Sequence, residues 1–183
     1  MSFRKLCRIA GVGALALATA SCGIFSAKKP GPPCPPILVL KDTAMMTSFN
    51  PGSGRDITDI SFAGRISDFR AECVYEKDLS KVEIKMSVVF ILTRGAGNRN
   101  RRVGFRYYVA MPHFHPRPEG KKVFVKETEF QGNRARLGLV EEVNLEIPIE
   151  ANVKRDQYRI FIGFQLTDEQ VKYNRSRLGF QEN

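Results

Sequence analysis

Two histidines spaced one residue apart are the side chains best suited to metal chemistry in this chain. His113 and His115 lie in the segment Met111-Pro112-His113-Phe114-His115-Pro116, and the sequence contains no other histidine. In an extended segment, residues two apart point to the same side, so both imidazoles could bind one zinc or copper ion. A metal site would need further ligands, such as Glu119, and the alternative is a polar loop between prolines. We predict no metal, and His113 and His115 remain the candidate ligands of an alternative function.

Other catalytic side chains do not form the patterns of common enzyme classes. The segment Gly52-Ser53-Gly54 lacks the G-x-S-x-G spacing of a serine nucleophile and is predicted to be a turn. Glu141 and Glu142 are adjacent in a predicted strand, so their carboxylates point to opposite faces. Glu141 shares the apolar face of that strand, which indicates a bulge, a pair with a buried arginine, or a pocket wall. We therefore predict a protein that is not an enzyme and needs no cofactor.

The first 21 residues have the features of a cleavable export signal. Arg4, Lys5 and Arg8 form a positively charged start, and an apolar run over residues 9–20 follows. This run is too short for a transmembrane helix, which needs about 20 apolar residues. Residues 1–21 are therefore predicted to be a signal peptide, and the proline-rich residues 22–36 are predicted to be an extended tether.

The residues that end the signal carry a family resemblance. Thr19-Ala20-Ser21-Cys22 resembles the lipobox of bacterial lipoproteins, although Thr19 stands where Leu is usual. The resemblance implies that Cys22 receives a diacylglycerol and further acyl chains, and two or more chains make membrane anchoring stable. Gly23 stands where an Asp would resemble an inner-membrane retention signal, so the resemblance implies an outer-membrane anchor facing the periplasm. The alternative is an ordinary signal peptide with a chance cysteine at its end.

Two cysteines are left for the folded part, because Cys7 belongs to the signal and Cys22 carries the lipid. In an oxidising compartment, Cys34 and Cys73 are predicted to form one disulfide, and the alternative is two separate thiols. The disulfide would close a loop of about 40 residues, for which the chain-entropy model gives about 4 kcal/mol of stabilisation.

Positive charge is concentrated in the predicted loops. The chain has a formal net charge of +10, and removal of the signal leaves about +7. We predict no nucleic-acid partner, because an exported protein meets little nucleic acid; lipid headgroups, acidic polymers and acidic protein faces remain. Loops gathered at one end of the domain would form an anion-binding surface, and the alternative is a set of solvated turns. The candidate residues are Arg99, Arg101, Arg102, Lys121 and Lys122, with Arg134, Arg136, Lys154 and Arg155 in other turns.

Alternation of apolar and polar residues with a period of two dominates the sequence from Ile37 onward, as in half-buried strands. It predicts an all-β domain over residues 37–166, an immunoglobulin-like or fibronectin-like antiparallel β-sandwich of about seven strands, with a small barrel as the alternative. The Gly95-Ala96-Gly97 segment is predicted to form a hairpin turn. The clearest strands cover residues 82–93, 103–111, 137–149 and 158–166, and weaker ones cover residues 37–41, 57–75 and 121–131.

Two local signals add detail to this fold. In the strand over residues 57–75, the apolar residues change from even to odd positions near Ser67-Asp68, which predicts a bulge or a break. Thr167-Asp168-Glu169-Gln170 matches a helix capping box. A short helix and a basic tail that contains Arg175 and Arg177 are therefore predicted for residues 167–183.

Three parts of the mature chain carry a wider resemblance: Cys34-Pro35-Pro36 with Val39-Leu40-Lys41-Asp42, residues 51–59, and residues 163–167 with 173–175. In these parts the chain resembles a group of uncharacterised outer-membrane lipoproteins of alphaproteobacteria, and the match covers most of the mature chain. The resemblance implies a location in the envelope and no particular activity.

These observations predict a lipid-anchored protein of the cell envelope that acts by binding or as a structural accessory. The predicted partner is an envelope protein, which could pair with an exposed strand edge, or an anionic envelope polymer or lipid held by the basic loops. One alternative is a periplasmic carrier of an apolar ligand in a cavity between the strand faces. The other is a metal-binding factor that uses His113 and His115.

Overall fold

The computed structural model describes residues 32–52 and 54–177. The predicted signal peptide and Cys22 lie outside the described residues, and so do the residues after Arg177. No helix within the described ranges is long and apolar enough to cross a membrane.

Eight strands in two sheets form the regular structure of the described residues, together with one α-helix. The elements are β1 Ile37–Val39, β2 Met45–Phe49, β3 Ile60–Tyr75, β4 Lys81–Arg94, β5 Arg102–Ala110, β6 Lys121–Glu129, β7 Arg136–Pro148, β8 Ile160–Phe164 and α1 Asp168–Arg177. Sheet I has the order β1-β8-β5-β6, and sheet II has the order β2-β3-β4-β7. Neighbouring strands are antiparallel, except for the parallel pair β1 and β8.

The predicted all-β sandwich with a short C-terminal helix is confirmed, and the two separate sheets exclude the barrel alternative. All seven predicted strands are present. The eighth, β2, escaped prediction because its buried residues Met46 and Thr47 are adjacent and do not alternate with exposed ones. β3 and β4, the second and third of the seven predicted strands, form a hairpin within sheet II. In constant-type immunoglobulin domains the second and third strands lie in opposite sheets, so the topology differs from that type.

The core lies between the two sheets and is filled by the apolar sides of their strands. Alternate residues of β4 from Val82 to Leu92 are fully buried, as the period-two pattern requires. Phe90 of β4 lies at the centre, with ring centroids 4.9 Å from Tyr107, 5.2 Å from Phe105 and 5.5 Å from Phe164. Packed aromatic rings fill this part of the space between the sheets. The alternative function, a carrier of an apolar ligand, would require a cavity here.

The long strand β3 contains the irregularity that its sequence predicts. Its register with β4 shifts between Ile66 and Asp68. Phe62 and Gly64 are buried before the shift, whereas Phe69 and Cys73 face the core after it. The bulge therefore exchanges the two faces of β3, as the change of apolar positions indicated.

Helix α1 covers the β2 edge of sheet II. Its N-terminus has the predicted capping box, since the Gln170 side chain accepts from the Thr167 backbone N–H at 3.0 Å and Thr167 Oγ1 accepts from Gln170 N–H at 3.3 Å. The Gln170 amide also donates to the Thr47 carbonyl of β2 at 3.3 Å, and the Asn174 amide donates to the Met45 carbonyl at 2.7 Å. Four residues of an α-helix advance about 6 Å, close to the length of two strand residues, so side chains four apart on α1 meet carbonyls two apart on β2.

The Gly95-Ala96-Gly97 segment does not form a hairpin, and that prediction is wrong. It follows β4 in sheet II, and the chain then enters β5 in sheet I. Glycines indicate that a chain reverses direction, but they do not determine whether the next strand joins the same sheet or the opposite one. Residues 95–101 therefore form a loop that crosses between the sheets, as do residues 130–135 between β6 and β7.

Candidate anion-binding site

Two loops that cross between the sheets come together at one end of the sandwich. The backbone N–H of Arg94 donates to the Ala135 carbonyl at 2.8 Å, and the Phe130 N–H donates to the Arg101 carbonyl at 2.9 Å. These bonds join residues 94–101 to residues 130–135. We call this region the arginine end, and it is defined by Arg99, Arg101, Arg102, Arg134 and Arg136.

The backbone of the first loop is held in place by close packing and by buried amides. Gly95 lies against the carbonyl of Ile60, where an added Cβ would be 2.0 Å from the oxygen, so only glycine fits. Asn98 is 3 % exposed, and its amide donates to the Arg102 carbonyl at 2.9 Å. The Arg94 guanidinium donates twice to the Asn98 carbonyl, at 2.7 and 3.0 Å. These contacts preorganise the loop that carries the exposed arginines.

Arg101 has a left-handed backbone conformation, with a φ of 63°. This conformation is uncommon for residues other than glycine and costs on the order of 1 kcal/mol. The bond from Phe130 to the Arg101 carbonyl and the Asn100 side chain, which accepts from the Arg102 backbone at 3.0 Å, hold the chain there. The exposed Arg101 side chain is thus displayed by a strained turn that its surroundings maintain.

The five side chains of the arginine end are exposed and form no ion pair or side-chain hydrogen bond with the described residues. The nearest carboxylates by strand register are Glu127 and Glu129 of β6, which lie opposite Gly104 and Arg102. A guanidinium group presents a planar fork of donors that matches phosphate and carboxylate oxygens. The arginine end therefore offers several unpaired binding groups for oxyanions on a rigid backbone.

Lys121 and Lys122 do not belong to this surface, although the sequence analysis grouped them with Arg99, Arg101 and Arg102. They begin β6 opposite Ala110 and Val109, at the far end of β5 from Arg102. The nine residues of β5 span about 27 Å, so the two sets lie at opposite ends of the sandwich. Lys121 instead lies over the Tyr108 ring, with Nζ 4.7 Å from its centroid.

The disulfide Cys34–Cys73 is present, and it lies at the opposite end from the arginines. Tyr75, which ends β3, donates its hydroxyl to the Pro33 carbonyl at 2.9 Å, and Ile160 N–H donates to the Pro36 carbonyl at 2.9 Å. Residues 33–36, the end of the predicted tether, therefore lie against the sandwich. Arg94 pairs with Phe62 at the other end of β3, about 40 Å away for 13 strand residues.

His113 and His115 lie in a tight turn, so the extended segment assumed for a shared metal ion is wrong. Pro112–Phe114 forms a 3-10 turn. The His113 ring packs against Tyr158, with centroids 4.8 Å apart, and its Nε2 is 3.7 Å from a Glu150 carboxylate oxygen. Within the described residues, no group of three histidine, cysteine, aspartate or glutamate side chains could hold a metal ion.

Glu141 has a partner that the sequence analysis did not name. It forms an ion pair with Lys126 of β6, in the opposite sheet. Its strand β7 pairs with β4 in an unbroken register, so neither the predicted bulge nor the predicted buried arginine is present. The burial of Glu141 on the apolar side reflects this contact between sheet edges.

Comparisons of the chain with models of known protein families, with curated proteins and with solved structures find no match. The functional interpretation therefore depends on the geometry of the arginine end. Of the side chains that build it, the sequence singled out the exposed arginines but missed the buried Asn98. No sequence signal distinguishes a buried asparagine in a glycine-rich loop from an exposed one.

Proposed function

We propose that this chain is a lipid-anchored lipoprotein of the bacterial outer membrane, similar to the alphaproteobacterial group named above, that acts as a noncatalytic binding module. Cys22 carries the lipid, and the sandwich faces the periplasm. The arginine end binds the repeated phosphate or carboxylate groups of an anionic envelope polymer.

The observation that carries this proposal is the position of the arginine end relative to residues 33–36, where the chain enters the sandwich. Residues 33–36 meet the sandwich at the Tyr75 end of β3, and the arginines lie at the other end of the same strand. The chain therefore enters the sandwich at the end opposite the arginine end. Two or three acyl chains make a lipid anchor effectively permanent.

The identity of the basic residues supports an oxyanion ligand. The exposed cations of the arginine end are all arginines, whereas the other end carries Lys77, Lys121, Lys122 and Lys154 together with Arg117, Arg155 and Arg159. Lysine is a strongly hydrated point charge, and arginine binds phosphate or carboxylate through two parallel hydrogen bonds.

A pair of matched variants tests the ligand. Arg99→Gln, Arg101→Gln and Arg134→Gln together remove three charges from the arginine end, and Lys77→Gln, Lys121→Gln and Lys122→Gln remove three from the opposite end. We expect the first triple variant to bind inorganic polyphosphate or polyglutamate roughly tenfold more weakly or worse, and the second to bind like wild type. Comparison of the two polymers separates phosphate from carboxylate recognition. Equal losses in both variants, or no binding of either polymer by wild type, would refute the proposal.

The anchor needs its own test in a bacterial host. We expect the wild-type chain to incorporate labelled palmitate and to fractionate with outer membranes, whereas the Cys22→Ser chain is exported without label and released with periplasmic contents. A wild-type chain that retains residues 1–21 and stays in the cytosol would exclude the anchored location.

A further inference from the structure

A second candidate binding site lies beside helix α1, on the outer face of sheet II. It is a half-open groove of about 260 Å³. Its floor is formed by residues of β2, β3 and β4, and Asn174 and Arg177 of α1 form its wall. None of the five arginines that define the arginine end lines the groove, although Arg136 lies next to its lining residue Thr93 in the strand register.

A short side chain in the middle of the outer face creates the groove. The strand register places Ala63 between Thr47 and Thr93 in one row of side chains. In the next row, Arg65 lies between Met45 and Ile91. Met45 and Ile91 therefore lie diagonally next to Ala63 on the outer face, with Arg65 between them, and water can reach all three apolar side chains.

The charges around the groove are all positive. Arg65 and Arg177 are its only charged lining residues, and no carboxylate lines it. Arg65 has no ion pair or side-chain hydrogen bond with the described residues, and Arg177 donates only to the Tyr173 hydroxyl, at 3.3 Å. An apolar hollow between two guanidinium groups is complementary to a molecule that combines an apolar chain with an anionic group.

We propose that this groove binds an anionic amphiphile, with the end of one alkyl chain over Ala63 and the anionic group held by Arg65 and Arg177. The volume is slightly below the range of about 300–1,000 Å³ that is typical of whole small-molecule sites, so the groove takes part of one chain and leaves the headgroup at its rim. The headgroup chemistry is a phosphate or carboxylate, as in an acidic lipid. The site differs from an interior cavity between the sheets, because it lies on the face of sheet II that points away from the core.

The test uses the full chain with Cys22→Ser, so that no covalent acyl chain can compete. Octyl phosphate is titrated below its micellar concentration and followed by calorimetry, with octyl glucoside and inorganic phosphate as the uncharged and chain-free comparisons. We expect octyl phosphate to bind at least tenfold more tightly than either comparison compound. This order of affinity requires both the apolar floor and the guanidinium groups.

Variants locate the site and separate it from the arginine end. Arg65→Gln is expected to weaken octyl phosphate binding roughly tenfold, whereas Arg70→Gln, which removes an exposed charge from the same face of β3 outside the groove, leaves it unchanged. Ala63→Leu fills the floor and is expected to weaken binding at least tenfold, while thermal unfolding shows that the variant folds.

The triple arginine-end variant is expected to bind octyl phosphate normally. Failure of the polymer experiment therefore leaves the octyl phosphate experiment informative. Absence of binding, or equal affinity for Arg65→Gln and Arg70→Gln, would overturn the proposal.

Discussion

Lys126 and Glu141 form an ion pair that joins the edge strands of opposite sheets, β6 and β7. The Glu141 side chain is only 12 % exposed, and that of Lys126 is 34 % exposed. The pair therefore closes one side of the sandwich, where neither edge strand has another neighbour in its sheet.

Removal of one member of this pair should destabilise the protein. Glu141→Gln leaves the Lys126 ammonium beside a partly buried neutral group, and we expect a loss of about 1–3 kcal/mol in the free energy of unfolding. Urea denaturation with the disulfide intact measures this loss. The control is Glu142→Gln on the exposed face of β7, where a change below about 0.5 kcal/mol is expected. A Lys126→Met, Glu141→Gln double variant with additive losses would show that the two side chains are not coupled.

Tyr107 should make the protein sensitive to alkaline pH. Its buried hydroxyl has no hydrogen-bond partner in the described part of the chain, and burial, with a smaller contribution from the charge of Glu141, raises the pKa of the phenol. A raised pKa in the folded state means that this contribution to stability is complete below the unfolded pKa of about 10 and decreases as pH rises above it.

The Tyr107→Phe variant tests this dependence. It removes the titrating group, so its urea midpoint should fall less than that of wild type between pH 8 and pH 10.5. At pH 8 the variant should be as stable as wild type or more stable, because the lost hydroxyl had no partner. Identical pH profiles for the two proteins would contradict the assignment.

Gly95 should not tolerate any side chain. An alanine Cβ would lie 2.0 Å from the Ile60 carbonyl oxygen, so Gly95→Ala must displace the loop or β3. We expect a loss of about 2–4 kcal/mol in thermal or urea unfolding, and weaker polymer binding by the arginine end. Gly104→Ala is the control, since no atom lies within 4 Å of its added Cβ and the change should be below about 1 kcal/mol. Equal stability of the two variants would mean that the close approach is absent in solution.

The disulfide should contribute substantially to stability. It joins residues 39 apart in sequence, and loop closure of this length corresponds to about 4 kcal/mol in the chain-entropy model. A Cys34→Ser, Cys73→Ser variant should unfold at a lower urea concentration than oxidised wild type. A phosphine reductant should bring wild type down to the midpoint of the variant and leave the variant unchanged. A variant midpoint equal to that of oxidised wild type would show that the bond adds no stability.

The seven strands found from sequence share one physical basis. In a strand, burial alternates with every residue, so a local pattern such as that of Val82 to Leu92 contains the information needed to predict β4. The bulge near Asp68 and the capping box of α1 are also local, because each depends on residues within a few positions of one another. β2 was missed because its burial is set by α1 and β3 rather than by its own pattern.

By itself, the sequence determined seven of the eight strands, where β3 changes face, where α1 begins and which residues carry charge, since each of these properties is encoded over a few neighbouring residues. Only the tertiary structure decided which loops cross between sheets, that Lys121 lies far from Arg101, and that Lys126 pairs with Glu141. These relationships depend on which strands become neighbours. Packing of the two apolar sheet faces against each other selects that arrangement for the whole chain at once, and no short segment records it.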